Sequence, residues 1–262
     1  GRMAHALVSR GVTKGDSVNL TLTNSPAFVA AWLACARLGA WIVPSDPQSR
    51  TQEIVEHQSR TNTRVGICSV HRQAEFMAAV NSAFPVIVVD EDDCDLDVLG
   101  IGSHVEWPSL DRLERLAVMF TSGTTGRPKG VEITQANYSF AGQVMATAAQ
   151  LESGDRQFVV LPLFHANAQY YSFASAIAVG ASVALMHTFS ATRFLQQAKD
   201  HSVTHASLFA APIRMILARG GDPVPGLRLK HCWYAMNISD SQYDELSGLL
   251  GCRPRQLYGM TE

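Results

Sequence analysis

Residues 121–130 read TSGTTGRPKG: three threonines, one serine, three glycines and two cations, with Pro128 directly before Lys129. A run so poor in apolar side chains buries little hydrophobic surface, so core packing does not account for it. Glycines let backbone N–H groups face an anion, hydroxyls add donors, and Lys129 brings a mobile positive charge. The chemistry these residue types suit is the cradling of phosphate. A Walker loop would read GxxxxGK[ST] and run straight into a helix. Here Lys129 stands between Pro128 and Gly130, and a short strand, VEIT, comes before any helix. A phosphate loop of another geometry is expected, and a P-loop kinase is set aside.

Other polar positions are ambiguous by themselves. His165, in PLFHANAQYY, follows an apolar strand and opens a helix, as capping or core histidines do. The pair Thr261-Glu262 reads alone as an exposed helix start, and Tyr258 as a packing residue at a strand end. The acidic run DEDDCDLD (90–97) lacks the Gly and terminal Glu of a calcium loop and reads as a solvated segment.

The elements that must position these residues alternate along the chain. SVNLTLT is a strand, and Asn24-Ser25-Pro26 supplies a cap and an early proline for the helix AFVAAWLACARLG, which stops at Gly39. AWIVPSD, RVGICSV and PVIVVD are further strands, with a helix at QAEFMAAVNSA. After the acidic run come strands LAVMFTS and GVEIT, a helix at 135–151, the buried strand QFVVLPLF, a helix near 167–179, and strand SVALMH. Helix ATRFLQQAKDH, strand THASLFA, helix PIRMILAR, strand LKHCWYA, helix DSQYDELSGLLG and strand RPRQLYG complete the order. Such alternation implies βαβ units and an α/β fold of two lobes, each a mostly parallel sheet flanked by helices. The acidic run is the expected division, giving lobes 1–97 and 98–262.

Composition narrows the class. The chain has 262 residues, 47% of them apolar, a net charge of −2 and a mean hydropathy near zero, which fits an ordinary globular protein and gives no basis for nucleic-acid binding. No apolar run reaches the roughly 18 residues of a membrane span. Five scattered cysteines (Cys35, Cys68, Cys94, Cys232 and Cys252) without CxxC spacing suit free thiols in a reducing, cytoplasmic setting.

MFTSGTTGRPKGVEIT resembles the signature loop of the adenylate-forming superfamily, which includes acyl- and aryl-CoA synthetases, peptide-synthetase adenylation domains and beetle luciferases. The likeness extends over the chain: residues 11–47 resemble the family's N-terminal block, LPLFHANAQ its acyl-site block and YGMTE its nucleotide and magnesium block. It implies ATP-dependent activation of a small-molecule carboxylate to acyl-AMP with pyrophosphate release, followed by transfer to CoA. It further implies that Thr121, Ser122, Gly123, Thr124, Thr125, Gly126 and Lys129 hold the β- and γ-phosphates. Tyr258 and Gly259 would meet the adenine, Thr261 the α-phosphate, and Glu262 with Thr124 a Mg2+ ion. His165, Asn167 and Gln169 would line the acyl channel, and Lys129, His165, Thr261 and Glu262 would be the catalytic set.

FHANAQ carries no Asp to grip an α-ammonium, so the expected acid has no α-amino group. Where the family has a glycine-rich turn whose backbone approaches the adenine and the acyl group, this chain reads WYAMNISD, so Tyr234, Ala235, Met236 and Asn237 imply a bulkier pocket floor, with Asn237 on the nucleotide. A similar stretch marks the carnitine/crotonobetaine–CoA ligases, the sub-branch it most resembles. A quaternary ammonium would want aromatic faces, for which Tyr170, Tyr171 and Trp233 are candidates if they are not core.

The family's ribose-binding Asp, hinge and small domain with a catalytic Lys lie beyond its TE. The chain is therefore expected to be a large-domain fragment with little adenylation activity alone. An amine or carrier thiol as acceptor, or a silent nucleotide-binding fragment, stays open beside the CoA reading.

Overall fold

Ser25 accepts a hydrogen bond from the Phe28 N–H at 3.3 Å, Pro26 opens helix α2 (Pro26–Leu38), and Gly39 closes it in the left-handed region at φ 69°. These are the start and stop expected from the residues alone. The computed structural model describes residues 1–93, 96, 99, 104–121 and 128–261.

Strands β1 (Ser17–Thr21), β2 (Trp41–Pro44), β3 (Val65–Ser69), β4 (Val86–Val89), β5 (Arg115–Thr121) and β6 (Lys129–Thr134) form one sheet, ordered β4-β3-β1-β2-β5-β6. All neighbours are parallel except β5 and β6. Every residue of β1, β2 and β3 is buried, as befits parallel strands covered on both faces. Helices α1 (Arg2–Val8), α2, α3 (Thr51–Thr61) and α4 (Gln73–Ala78) accompany this sheet, whose core includes Leu7, Leu20, Phe28, Ile42, Ile67 and Phe76.

The second sheet is entirely parallel, ordered β11-β10-β9-β7-β8. It comprises β7 (Arg156–Val159), β8 (Ser182–Leu185), β9 (His205–Phe209), β10 (His231–Ala235) and β11 (Arg255–Leu257). Its helices are α5 (Gln135–Ala149), a π-helix (Asn167–Ala174), α6 (Ser175–Val179), α7 (Phe194–Asp200), α8 (Ala210–Arg219) and α9 (Asp240–Leu250). Phe158, Phe194, Leu208, Ile213 and Leu246 are buried around it.

Two mostly parallel sheets with flanking helices match the expected α/β class. By proximity along the folded chain, one compact unit is Gly1–Asn137 with Thr261 and the other is Tyr138–Met260. The boundary lies later than the expected 97/98 division because β5 and β6 complete the first sheet. Among the described residues no helix is long and apolar enough to cross a membrane. Cys35, Cys68, Cys232 and Cys252 are free thiols; burial raises Cys252 to about 11 and, with help from Glu91, Cys68 to about 12.

Candidate functional site

The phosphate-loop candidates sit on an antiparallel hairpin. Strand β5 ends at Thr121 and β6 begins at Lys129, and the two residues face each other across the ladder, as do Phe120 and Gly130. Directly opposed residues in such a ladder have Cα atoms about 4.5–5.5 Å apart, so the chain leaves and re-enters the sheet at one point. Thr121 is half-buried and Lys129 exposed. Lys129 thus opens a strand, not a helix, as the contrast with a Walker loop required. Ser122, Gly123, Thr124, Thr125 and Gly126 lie outside the described residues, and so does Glu262. Both expected magnesium ligands are therefore outside them. Among the described residues no three His, Cys, Asp or Glu side chains cluster to hold a metal.

In the second unit, His165 is exposed on the segment after β7. Its N–H donates to the Pro162 carbonyl at 3.1 Å, its carbonyl accepts from Gln169 N–H at 3.4 Å, and its ring centroid is 4.3 Å from that of Phe164. Asn167 Oδ1 accepts from Ser207 Oγ on β9 at 2.8 Å. Gln169 departs from expectation. Its side chain is wholly buried, its Oε1 accepts from the Tyr138 hydroxyl, and its Nε2 donates to the Leu163 carbonyl. Those partners occupy the amide that was expected to face substrate. Gln169 instead braces the segment carrying His165 against α5. Burial pushes the Tyr138 phenol well above its ordinary range, so it stays a donor.

The aromatic candidates for a quaternary ammonium divide. Tyr170 and Trp233 are buried, Tyr170 edge-on to Tyr138 at 5.2 Å and Trp233 in a cluster with Ala146, Ala149 and Leu151. They are core residues. Tyr171 is half-buried, and its hydroxyl lies against the Gly259 backbone, where a Cβ would come within 2.6 Å of it. A side chain at 259 would displace the Tyr171 hydroxyl from this position.

The stretch with bulky residues follows β10. Tyr234 is buried, with its pKa raised chiefly by burial and further by Tyr243 and Asp240. Ala235 ends the strand, and Met236 turns at φ 70°, outside the region most side chains adopt. Gln256 Nε2, on neighbouring β11, donates to the Met236 carbonyl at 3.1 Å and to Asn237 Oδ1 at 2.9 Å. The pairing of Tyr234 with Gln256 places that amide beside the turn. The sequence reading missed Gln256; the pairing that reveals it depends on strand order. Tyr258 is 92% exposed, Gly259 is exposed, and Thr261 is half-buried in the first unit.

Two mostly parallel sheets, the first ending in the antiparallel β5–β6 hairpin, make up a fold shared with solved acyl-CoA ligases. The fold superposes on a long-chain-fatty-acid–CoA ligase from Archaeoglobus fulgidus with a TM-score of 0.89 at 22% identity, covering 100% of this chain and 55% of that one. It superposes on ATP-bound MatB from Rhodopseudomonas palustris with a TM-score of 0.86 at 19% identity, covering 100% and 53%. Likenesses at these identities speak to the fold alone.

The chain belongs to the AMP-binding enzyme family, whose profile matches residues 1–262. It is 28% identical over 275 residues to a crotonobetaine/carnitine–CoA ligase of Salmonella enteritidis, covering 100% of this chain and 53% of the relative. The similarly named ligase of Escherichia coli O139:H28 is 27% identical over 281 residues, with the same coverage. The chain spans about half the length of these curated relatives.

Proposed function

We propose that this chain serves the ATP-dependent activation of a carboxylic acid, forming acyl-AMP and pyrophosphate, with the acyl group then passed to CoA. The observation that carries the reading is the TSGTTGRPKG run borne on the β5–β6 hairpin of a chain matched along its whole length by the AMP-binding family. A carboxylate oxygen attacks the α-phosphorus, the bond to the β-phosphate oxygen breaks, and pyrophosphate leaves with the electron pair. Both reactants are anions, so phosphate charge must be neutralised and the attack held in line. Lys129, exposed at the mouth of the hairpin, supplies the screening charge, and Thr121 and the residues after it supply donors. In the second step a thiolate attacks the acyl carbon and AMP departs.

Glu262 and Thr124 would hold a Mg2+ ion, which would supply neutralisation of phosphate charge when bound. The carboxylate of Glu262 and the hydroxyl of Thr124 are oxygen donors of the kind this hard cation takes. Tyr258 offers a ring for the adenine, and Thr261 a hydroxyl for the α-phosphate. His165 and Asn167 contact the acid, whereas Gln169 positions them. Asn237 and Gly259 contribute backbone near the nucleotide, and Tyr234, Ala235 and Met236 form the pocket floor. The acid lacks an α-amino group, and the sequence likeness to crotonobetaine/carnitine–CoA ligases favours a small aliphatic or betaine-type acid.

Carboxylate-dependent pyrophosphate release by the full-length protein, against a panel of acids, tests this reading, with mass detection of acyl-AMP and acyl-CoA. Lys129→Ala is expected to slow release on the order of 100-fold, the scale of losing one group that stabilises the transition state. Binding of Mg-ATP without release would instead support a silent nucleotide-binding role. A bound ATP analogue with its phosphates remote from Thr121 and Lys129 would overturn the proposal.

A further inference from the structure

Helix α3 plays no part in the chemistry above, yet two of its side chains grip both stems of the phosphate hairpin. The His57 ring lies on the Phe120 ring with centroids 4.1 Å apart and planes 3° from parallel. One turn along, the Arg60 guanidinium carbon is 4.7 Å from the centroid of the same ring. Arg60 Nη1 also donates to the Pro128 carbonyl at 2.7 Å, and Glu56 Oε1 accepts from that nitrogen at 3.2 Å. Phe120 precedes Thr121, and Pro128 precedes Lys129. One guanidinium therefore contacts the residue before each end of the expected phosphate contacts.

The grip is itself anchored. The His57 Nδ1 lies 2.9 Å from Ser45 Oγ, which accepts from Asn19 Nδ2 at 2.9 Å. Asn19 Oδ1 in turn accepts from Thr21 Oγ1 at 2.9 Å. Asn19, Thr21 and Ser45 are buried along β1 and after β2, so the sheet fixes the plane against which Phe120 stacks. Gly130 opposes Phe120, and a Cβ there would come 3.5 Å from its ring and 3.0 Å from Val118 Cγ1.

We infer that Arg60 and His57 are positioning residues that clamp the β5–β6 hairpin at both stems, so that Thr121 and Lys129 present their groups to a nucleotide triphosphate in one geometry. The inference rests on the nucleotide reading proposed above. Contacts at Phe120 and Pro128 hold the residues next to Thr121 and Lys129 in place. A misplaced catalytic group loses rate steeply even when the group itself is intact. A planar guanidinium suits the task because it stacks on an aromatic face and donates in its own plane.

The test uses Arg60→Met, which keeps the aliphatic stem, and Arg60→Lys, which keeps the charge without the plane. Phe120→Leu is a second route to the same loss. Amide hydrogen exchange read by mass spectrometry reports the stems, and calorimetry reports Mg-ATP affinity. Arg60→Met is expected to speed exchange in β5 and β6 and to weaken Mg-ATP binding by about 10- to 100-fold, the loss of one charged hydrogen bond. Acid KM should be unchanged, and Arg60→Lys should recover part of the loss. A wild-type chain that fails to bind Mg-ATP sinks the nucleotide reading and this inference together. A wild type that binds, with Arg60→Met and Phe120→Leu binding equally well, sinks this inference alone.

Discussion

A methionine in the left-handed backbone region costs roughly 1–2 kcal/mol more than a glycine there, because its Cβ crowds the following carbonyl. Met236 stands at φ 70° and is 65% exposed, so its side chain recovers little by burial. The turn is held by Gln256, which donates to the Met236 carbonyl and to Asn237 Oδ1, contacts a substitution at 236 leaves intact. Met236→Gly relieves the crowding but frees the unfolded chain, a counter-term of about 0.5–1 kcal/mol. The net expectation is a stabilisation of up to about 1 kcal/mol, or a Tm higher by about 2–4 °C. Met236→Val should lower Tm, since a β-branched residue tolerates this conformation least. Calorimetric scans of the two variants check the signs, and a Met236→Gly protein that melts lower than wild type would refute the strain. This position was readable as unusual from the sequence, where WYAMNISD stands in place of a glycine-rich turn. What the residues could not reveal was that the backbone had kept a glycine-like geometry under a methionine.

At the scale of elements, the π-helix Asn167–Ala174 has the tightest packing constraint in the second unit. A Cβ on Gly142 of α5 would meet the Ala174 carbonyl oxygen at 2.5 Å, so the two backbones touch where any side chain would intrude. Gly142→Ala must push α5 off the π-helix or bend it, at a cost of about 1–3 kcal/mol. A lower urea midpoint with an unchanged m-value is the expected result, and an unaltered midpoint would show that the packing yields freely. The sequence pattern foretold a helix near 167–179 but not its wide first turns, because Ala168, Gln169, Tyr170, Ser172, Phe173 and Ala174 are all buried and leave no one-sided stripe whose period could be read. The strand expected over QFVVLPLF stops at Val159, although Val160 and Leu161 are buried; a continuous apolar run records burial, not extension. Helix α3 escaped the sequence reading for the opposite reason. TQEIVEHQSRT carries one fully buried aliphatic side chain, Ile54, too few for a visible stripe. Its one local signal was Glu53, whose Oε2 accepts from the Arg50 N–H at 2.8 Å, and Arg50 is not a residue that advertises a cap. The stems of the phosphate hairpin were legible as strands, whereas the helix that grips them was not.

Over the whole molecule, the buried groups that resist protonation are concentrated in one unit. His205 and His231 lie side by side on β9 and β10 in the second, both buried. Burial, with Arg255 and His205 adding, holds His231 at about 4, and burial also lowers His205 despite its contact with the Ala149 carbonyl and the charge of Asp155. His57 is the corresponding lowered histidine of the first unit, again chiefly by burial. A histidine whose folded pKa is depressed stays neutral in the native state while the unfolded chain takes up a proton near pH 6.5. Stability is therefore full above about pH 6.5 and falls as pH drops toward the folded value. For His231 the loss by pH 4 is on the order of 3 kcal/mol, at about 1.4 kcal/mol per unit. Asp155 adds to it at lower pH. Burial raises its pKa, but the Lys230 ammonium at 2.7 Å, the Glu152 N–H and Thr204 outweigh that and leave it lowered. Its contribution disappears as pH falls through that lowered value. Acidification from pH 7 to 5 should thus open the second sheet before the first. Hydrogen exchange corrected for intrinsic rates should show β9 and β10 losing protection while β1 and β3 retain it. The His231 ring meets Trp233 edge-on at 4.3 Å, and its Nε2 has no hydrogen-bond partner among the described residues. His231→Phe keeps the ring contact, removes the unpaired nitrogen, and should leave stability at pH 7 nearly unchanged while flattening its decline toward pH 4.5. A variant that declines as steeply as wild type, or two sheets that lose protection together, would place the acid sensitivity elsewhere.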